Sequence, residues 1–88
     1  MIYKRDGFSV DLETVVRIYP AVLVEHEGES SEMSLEWVDV YGSKVKILSF
    51  VLVFDNTKQG DEERHKQELH FDSKEELLEA MSEVATFF

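Results

Sequence analysis

Six carboxylates and no base occupy residues 25–39, which makes this the most acidic stretch of the chain. They are Glu25, Glu27, Glu29, Glu32, Glu36 and Asp39. Carboxylates this close together attract cationic partners, and such complementarity acts mainly on association rate and specificity. We interpret Glu25, Glu27, Glu29, Glu32 and Glu36 as an acidic binding surface for a basic protein. A solvated loop and strand edge is the plainer explanation of the same charges.

The three histidines are the residues that most resemble metal ligands. His65 and His70 are five residues apart, so a strand would place them on opposite faces. Glu68 and His70 share a face, and His26 joins them only if its strand is a neighbour. A metal site needs three or four convergent ligands. Because the pattern supplies two, we expect no metal and no cofactor.

Residues for covalent or acid–base catalysis lack the spacing that such chemistry needs. The chain has no cysteine, and its serines lie in no nucleophile-elbow context. The four glycines are scattered, so a phosphate-binding loop is not expected. The carboxylates that fall within an apolar stretch are Glu36 and Asp39, and neither has a catalytic companion nearby in the sequence. We therefore expect a protein without enzymatic activity.

Trp37 and the pair Phe87 and Phe88 are the apolar side chains best suited to contact a ligand or a partner. Trp is enriched at interface hot spots. The alternative for Trp37 is a core position on a strand. The alternative for Phe88 is completion of a helix face, with Phe87 at its border.

The net charge of −10, from 19 acids and 9 bases, bears on the class of partner. It opposes direct binding to nucleic acid or to an anionic membrane, because those contacts need Lys and Arg. No apolar run approaches the roughly 20 residues of a membrane span. Together with the absence of cysteine, this favours a cytoplasmic protein.

The element that must position these residues is the most apolar stretch, residues 44–55. It is rich in β-branched and aromatic side chains and has neither Gly nor Pro, which predicts a central strand. Before it, residues 33–41 read as a strand paired to it through a type II′ turn at Gly42-Ser43, with Trp37 opposite Leu48 and Asp39 facing Lys46. After it, residues 65–71 read as a strand beside its second half.

Two further strand regions precede residue 28. Asp6-Gly7 between alternating segments predicts a hairpin with Tyr3 opposite Val10. Residues 14–19 and 21–27 read as strand on either side of Pro20. They form either one long edge strand bent at Pro20, which we favour, or two strands that meet at a corner. Loops are predicted at residues 28–32 and 56–63.

One helix is predicted, beginning after Ser73 and running to the last residue. Ser73 followed by Glu76 is a capping box. The spacing of the apolar residues places them on one face. They are Leu77, Leu78, Met81, Val84, Ala85 and Phe88, and the opposite face carries Glu75, Glu79 and Glu83.

These elements predict a single α+β domain over residues 1–88. Its antiparallel β-sheet of six or seven strands, a curved sheet or partly open barrel, is packed by one C-terminal α-helix. A non-catalytic interaction or regulatory domain is the first functional hypothesis. A small-ligand or metal-binding domain, with a cleft beside Trp37 or the histidines, is the alternative. The chain could also form a homodimer, through a sheet edge or through the C-terminal helix.

Overall fold

The computed structural model describes residues 1–57, 60 and 65–88, and in this part of the chain it confirms the α+β class with antiparallel sheets and a C-terminal helix. The strands are β1 (Ile2–Arg5), β2 (Phe8–Asp11), β3 (Arg17–His26), β4 (Glu29–Met33), β5 (Lys46–Asp55) and β6 (Lys66–Phe71). The helices are α1 (Leu35–Tyr41) and α2 (Lys74–Ala85), and short 3-10 turns cover Leu12–Thr14 and Gly42–Lys44. The loop predicted at residues 56–63 lies largely outside the described residues.

The six described strands are divided between two sheets rather than joined in one. The larger sheet has the order β4-β3-β5-β6, and β1 pairs only with β2. Tyr3, Val10 and Leu12 lie on one face of the small hairpin and are buried against the larger sheet. The Tyr3 ring stacks at 6.1 Å on Phe54 of β5. The hairpin therefore covers the larger sheet instead of extending its edge.

The predicted hairpin at Asp6-Gly7 is confirmed in its register and its turn. Arg5 stands opposite Phe8, and Tyr3 stands opposite Val10. Asp6 and Gly7 both have positive φ, at 47° and 86°, as a two-residue type I′ turn requires.

The central strand is also confirmed, since β5 lies between β3 and β6 and its residues Val51 to Phe54 are at most 1% exposed. β3 runs without a break through Pro20, which stands opposite Leu52 of β5. On its other side β3 pairs with β4 only from Val22 to His26. Pro20 therefore lies in the half of β3 that has one described strand neighbour, where its missing N–H is tolerated. β3 is a single strand, but it is an inner strand of the sheet and not an edge.

The strand predicted at residues 33–41 is wrong, and with it the turn at Gly42-Ser43 and the pairing of Trp37 with Leu48. This segment forms α1, which begins after Ser34, whose hydroxyl accepts a hydrogen bond from the Trp37 N–H at 3.1 Å. Gly42 has φ of −58°, in the right-handed helical region. A short apolar run fits strand and helix periods about equally well, and here the serine cap decides for helix.

The loop predicted at residues 28–32 is also wrong, because most of it forms β4. Glu27 and Gly28 have φ of 52° and 80° and connect His26 to Glu29, which stand opposite each other. This is a second two-residue hairpin turn with positive φ at both positions. Because Met33 is the one apolar residue of β4, this strand lacks the apolar alternation from which a strand is predicted.

The predicted start of α2 is confirmed, but its buried face differs from the prediction. The Ser73 hydroxyl accepts from the Glu76 N–H at 3.3 Å. Leu77, Ala80 and Val84 are the buried residues of α2, whereas Leu78 is 44% exposed. The helix ends at Ala85.

The two terminal phenylalanines exchange their predicted roles. Phe87 packs edge-on against Tyr3 at 6.3 Å, whereas Phe88 is 77% exposed. Phe87, rather than Phe88, therefore completes the packing at the end of α2.

The larger sheet is strongly curved. Its core face, which carries Leu52 and Phe54, packs against α2 and the small hairpin. On the opposite face, Ala21, Val51 and Val53 are also buried, at 3% exposure or less. Across this second face Lys66 Nζ lies 3.8 Å from Glu32 Oε2. Lys66 is level with Arg17 of β3 and Glu32 is level with Leu23. In a flat sheet they would be three strand spacings apart across the strands and six residues apart along them, about 25 Å in all, which two side chains cannot span. The two edges must therefore curl toward each other, which makes the second face concave.

Candidate functional site

A cleft of about 330 Å³ lies between α1 and the β3–β4 hairpin. Its apolar lining residues are Val24, Met33, Trp37, Tyr41 and Val45, and its polar ones are His26, Glu29, Ser30, Ser31 and Lys44. Apolar walls with a few convergent polar groups are the usual composition of a ligand or peptide site.

Strand alternation builds the floor of the cleft. Val24 stands opposite Ser31, and His26 stands opposite Glu29. Because side chains two residues apart share a face, these four lie on the face that also carries the buried Val22. The hairpin extends this face past the part of the sheet that α2 covers, and α1 lies beside it.

The wall of the cleft is an aromatic pair on α1. Trp37 and Tyr41 are four residues apart, so they are neighbours on one side of the helix. Their ring centroids are 5.2 Å apart, with planes tilted by 43°. Trp37 is half-buried and Tyr41 is 45% exposed. Lys44 follows on the same connection, with its ammonium 5.9 Å from the Tyr41 ring.

A β-bulge lies at the inner end of the cleft. Leu23 stands opposite Ser49 and Val24 opposite Ile47, so Leu48 is the extra residue of β5. Bulges bend a strand and redirect its side chains. Leu48 is 40% exposed, and Val45, just before β5, lines the cleft.

The predicted acidic surface is divided by the same alternation. Glu29 lines the cleft, and Glu27 lies at the hairpin tip with its side chain 85% exposed. Glu36 lies in the first turn of α1 and is exposed. Glu29 thus lines the cleft, whereas Glu27 and Glu36 are chain neighbours of its lining residues His26 and Trp37.

Glu25 and Glu32 belong to the opposite, concave side of the sheet. Glu25 stands opposite Lys46, and Glu32 is paired with Lys66. The prediction that Asp39 faces Lys46 is wrong. Asp39 Oδ1 lies 3.3 Å from Lys74 Nζ, at the start of α2. The structure thus brings part of the predicted set to the cleft and leaves the rest in ion pairs or cross-strand positions elsewhere.

The histidines do not converge. His70 Nε2 is 3.4 Å from Glu68 Oε2, and His70 Nδ1 is 3.0 Å from Ser49 Oγ, all on the concave side of β5 and β6. His26 lies in the β3–β4 hairpin. In the described ranges, no three His, Asp or Glu side chains come close enough together to hold a metal ion.

A partly buried polar cluster joins α2 to the small hairpin, away from the cleft. Tyr3 OH and Arg5 Nη1 each donate a hydrogen bond of 2.8 Å to Glu83 Oε1. Burial, and then the bond to Glu83, raises the pKa of Tyr3 to about 12. The bonds from Tyr3 and Arg5 lower the pKa of Glu83. Glu83, predicted on the outer face of the helix, is therefore a structural contact.

A cleft beside Trp37 was predicted in the alternative functional hypothesis, but Tyr41, Met33 and Lys44 were not predicted to line it. Tyr41 could have been found from a helix beginning after Ser34, because Tyr41 then follows Trp37 by four residues and lies on the same side of the helix. The β3–β4 hairpin, which forms the floor of the cleft, could have been found from Glu27-Gly28, a two-residue turn of the same kind as Asp6-Gly7.

Comparison with known proteins supplies no relative: no family model, curated protein or solved structure matches the chain. In the described part of the chain, neither helix combines the length and apolar character needed to cross a membrane.

Proposed function

We propose that this protein is a non-catalytic binding domain that docks a basic segment of a protein partner in the cleft between α1 and the β3–β4 hairpin. The observation that carries the proposal is the combination of an aromatic wall, Trp37 and Tyr41, with the carboxylate of Glu29 in the lining. Two exposed carboxylates, Glu27 and Glu36, are chain neighbours of the lining residues His26 and Trp37. A cytoplasmic location, and the absence of nucleic-acid and membrane partners, belong to the same proposal and rest on composition.

The apolar part of the cleft suits one or two side chains of a partner. Its volume of about 330 Å³ lies at the lower end of the range for ligand sites, roughly 300–1,000 Å³. Trp and Tyr are the residues most often found at the energetic centre of interfaces. Met33 adds a flexible apolar surface that adapts to different side chains.

The charge around the cleft suits a basic segment. Glu27 and Glu29 come from the hairpin, Glu36 comes from α1, and the whole chain carries −10. Lys44 is the one base among the lining residues, and its ammonium lies near the Tyr41 ring. A peptide that inserts an aliphatic side chain between Trp37 and Met33 would place flanking Arg side chains near the rim carboxylates.

A titration monitored by intrinsic fluorescence tests this proposal, because Trp37 is the only tryptophan in the chain. The probe is a capped, non-aromatic peptide that alternates arginine and leucine, and the control peptide replaces each arginine with glutamate. We expect saturable changes in Trp37 emission with the basic peptide only, and weaker binding as salt rises. Equal responses to both peptides, or none to either, would contradict the proposal.

A pair of matched variants distinguishes the effect of the carboxylates at the rim of the cleft, Glu27 and Glu29, from the effect of total charge. Glu27→Gln with Glu29→Gln removes two charges beside the cleft, and Glu75→Gln with Glu79→Gln removes two from α2. At about 0.2–1 kcal/mol for each exposed charge, the rim variant should weaken binding of the basic peptide about 2- to 30-fold. The α2 variant should bind nearly as the unmodified protein does. Equal losses in both would mean that only net charge matters.

The second candidate function is binding of a small organic ligand in the same cleft. It is favoured by the hydroxyls of Ser30 and Ser31 and the imidazole of His26, which supply polar contacts beside the apolar walls. A screen of small aromatic and aliphatic acids, alcohols and amines by Trp37 emission tests it. Saturable binding of one such compound, with no response to the basic peptide, would favour this candidate over peptide docking.

A further inference from the structure

The outer edge of β6 is a second surface with a defined chemistry. β6 and β4 are the two edge strands of the larger sheet. Within the described residues, no strand pairs with the outer side of β6. An edge strand offers backbone N–H and C=O groups on which another strand can pair.

We propose that two copies of this chain associate by antiparallel pairing of β6 with β6, with Leu69 opposite the partner's Leu69 on a twofold axis. In a sheet, residues that stand opposite each other have their side chains on the same face. When a strand pairs with its own copy, paired positions therefore differ by an even number, and the middle residue lies on the twofold axis. Two registers pair most of β6, one centred on Leu69 and one centred on Glu68.

The charges of β6 distinguish these two registers. The register centred on Leu69 places Glu68 opposite the partner's His70, and Lys66 opposite the partner's Asp72. Gln67 then stands opposite the partner's Phe71 on the core face. The register centred on Glu68 places the two Glu68 carboxylates directly opposite each other, which is unfavourable.

The other edge of the sheet opposes self-association. β4 carries Glu29 and Glu32, follows Glu27, and has no base. Pairing it with its own copy would bring these acids together. A twofold contact through β6 is closed, since each copy uses the same strand, so association should stop at the dimer.

The dimer should be weak and should strengthen with salt. The paired edge is short, and each copy carries a net charge of −10. Salt screens the long-range repulsion between the copies more than it screens pairs in direct contact. This salt response has the opposite sign to that of a basic peptide in the cleft, so failure of either proposal leaves the other testable.

Single introduced thiols test the register, because the chain has no cysteine of its own. Leu69→Cys places two thiols opposite each other on the axis, close to the separation that a disulfide needs. Glu68→Cys places them off the axis, and Ser82→Cys on the exposed side of α2 reports random collision. Under a mild oxidant, we expect Leu69→Cys to form disulfide dimers at least about tenfold faster than the other two. Equal rates in all three, or fastest cross-linking of Glu68→Cys, would overturn the register.

Sedimentation equilibrium of the unmodified protein tests the dimer without any substitution. We expect a monomer–dimer equilibrium in which the dimer fraction rises with protein concentration and with salt. A protein that stays monomeric up to about 1 mM, or one that forms open-ended larger species, would overturn the proposal. This measurement also decides the matter if Leu69→Cys fails to fold.

Discussion

Tyr3 shows how one side chain connects three parts of the molecule. Its ring stacks on Phe54 of β5 and meets Phe87 after α2, while its hydroxyl bonds to Glu83. Tyr3 is only 3% exposed. The predicted hairpin placed Tyr3 opposite Val10 on an apolar face, but it did not predict the contact with Glu83, because no sequence period relates residues 80 positions apart.

The raised pKa of Tyr3 predicts a stability change at alkaline pH. Below pH 10 both the folded and the unfolded chain keep the Tyr3 proton. Between pH 10 and about 12 the unfolded chain loses it while the folded chain retains it, so the unfolded state binds fewer protons and the free energy of unfolding falls as pH rises. Tyr3→Phe should remove this part of the decline and cost about 0.5–1.5 kcal/mol at neutral pH through the lost hydrogen bond.

Denaturant midpoints of the unmodified protein and Tyr3→Phe, measured from pH 8 to pH 12 (roughly the window set by the linkage argument), check this prediction. Tyr41→Phe is the matched control, since Tyr41 is 45% exposed. If the curves for Tyr3→Phe and the unmodified protein stay parallel throughout, the account of Tyr3 is wrong.

At the scale of elements, the two helices differ in what holds them. α2 buries Leu77, Ala80 and Val84, whereas α1 has no fully buried residue. Both begin with a serine that caps the Trp37 or Glu76 N–H. The Ser73 cap of α2 should therefore contribute to the stability of the whole fold, and the Ser34 cap of α1 only to the stability of that helix.

Ser73→Ala should lower the free energy of unfolding by roughly 0.5–2 kcal/mol, because the cap of a helix that belongs to the core is lost. Ser82→Ala, at an exposed position of the same helix, is the control and should have a much smaller effect. Urea melts of the two variants decide. An unchanged midpoint for Ser73→Ala would show that the cap contributes nothing.

Ser34→Ala should act locally instead. We expect faster hydrogen exchange of the α1 amides, including Val38, which donates to the Ser34 carbonyl, by about 2- to 30-fold for a cap worth 0.5–2 kcal/mol. Amides of β5 should be unchanged, since local opening of α1 does not expose them. Ser43→Ala, at an exposed position after α1, is the control. Equal acceleration in α1 and β5 would mean that α1 does not open on its own.

Elements with a strong period or an Asp-Gly turn were predicted from the sequence, whereas the cleft was placed only beside Trp37, without its other walls. β5, the Asp6-Gly7 hairpin and the start of α2 each carry such a signal. The seven residues of α1 fit two periods, and β4 has no apolar face. Because α1 and β4 form two sides of the cleft, its position depended on the two elements whose local signals were weakest.

At the scale of the whole molecule, the net negative charge has opposite effects on the two proposed contacts. Each copy carries −10, which attracts a basic peptide and repels a second copy. Salt should therefore weaken the first contact and strengthen the second. The two contacts use different surfaces, since the cleft lies on the core face of the β3–β4 side and β6 is the opposite edge strand.

The most direct test of peptide docking is amide chemical-shift mapping by NMR during titration with the arginine–leucine peptide. We expect the largest shifts at Val24, Ser31, Met33, Trp37 and Tyr41, with a single saturation curve for all of them. Glu75 and Glu79, on the acidic outside of α2, should shift little. Shifts spread evenly over the acidic residues of the hairpin and α2, or shifts that leave Trp37 and Met33 unmoved, would contradict docking in the cleft.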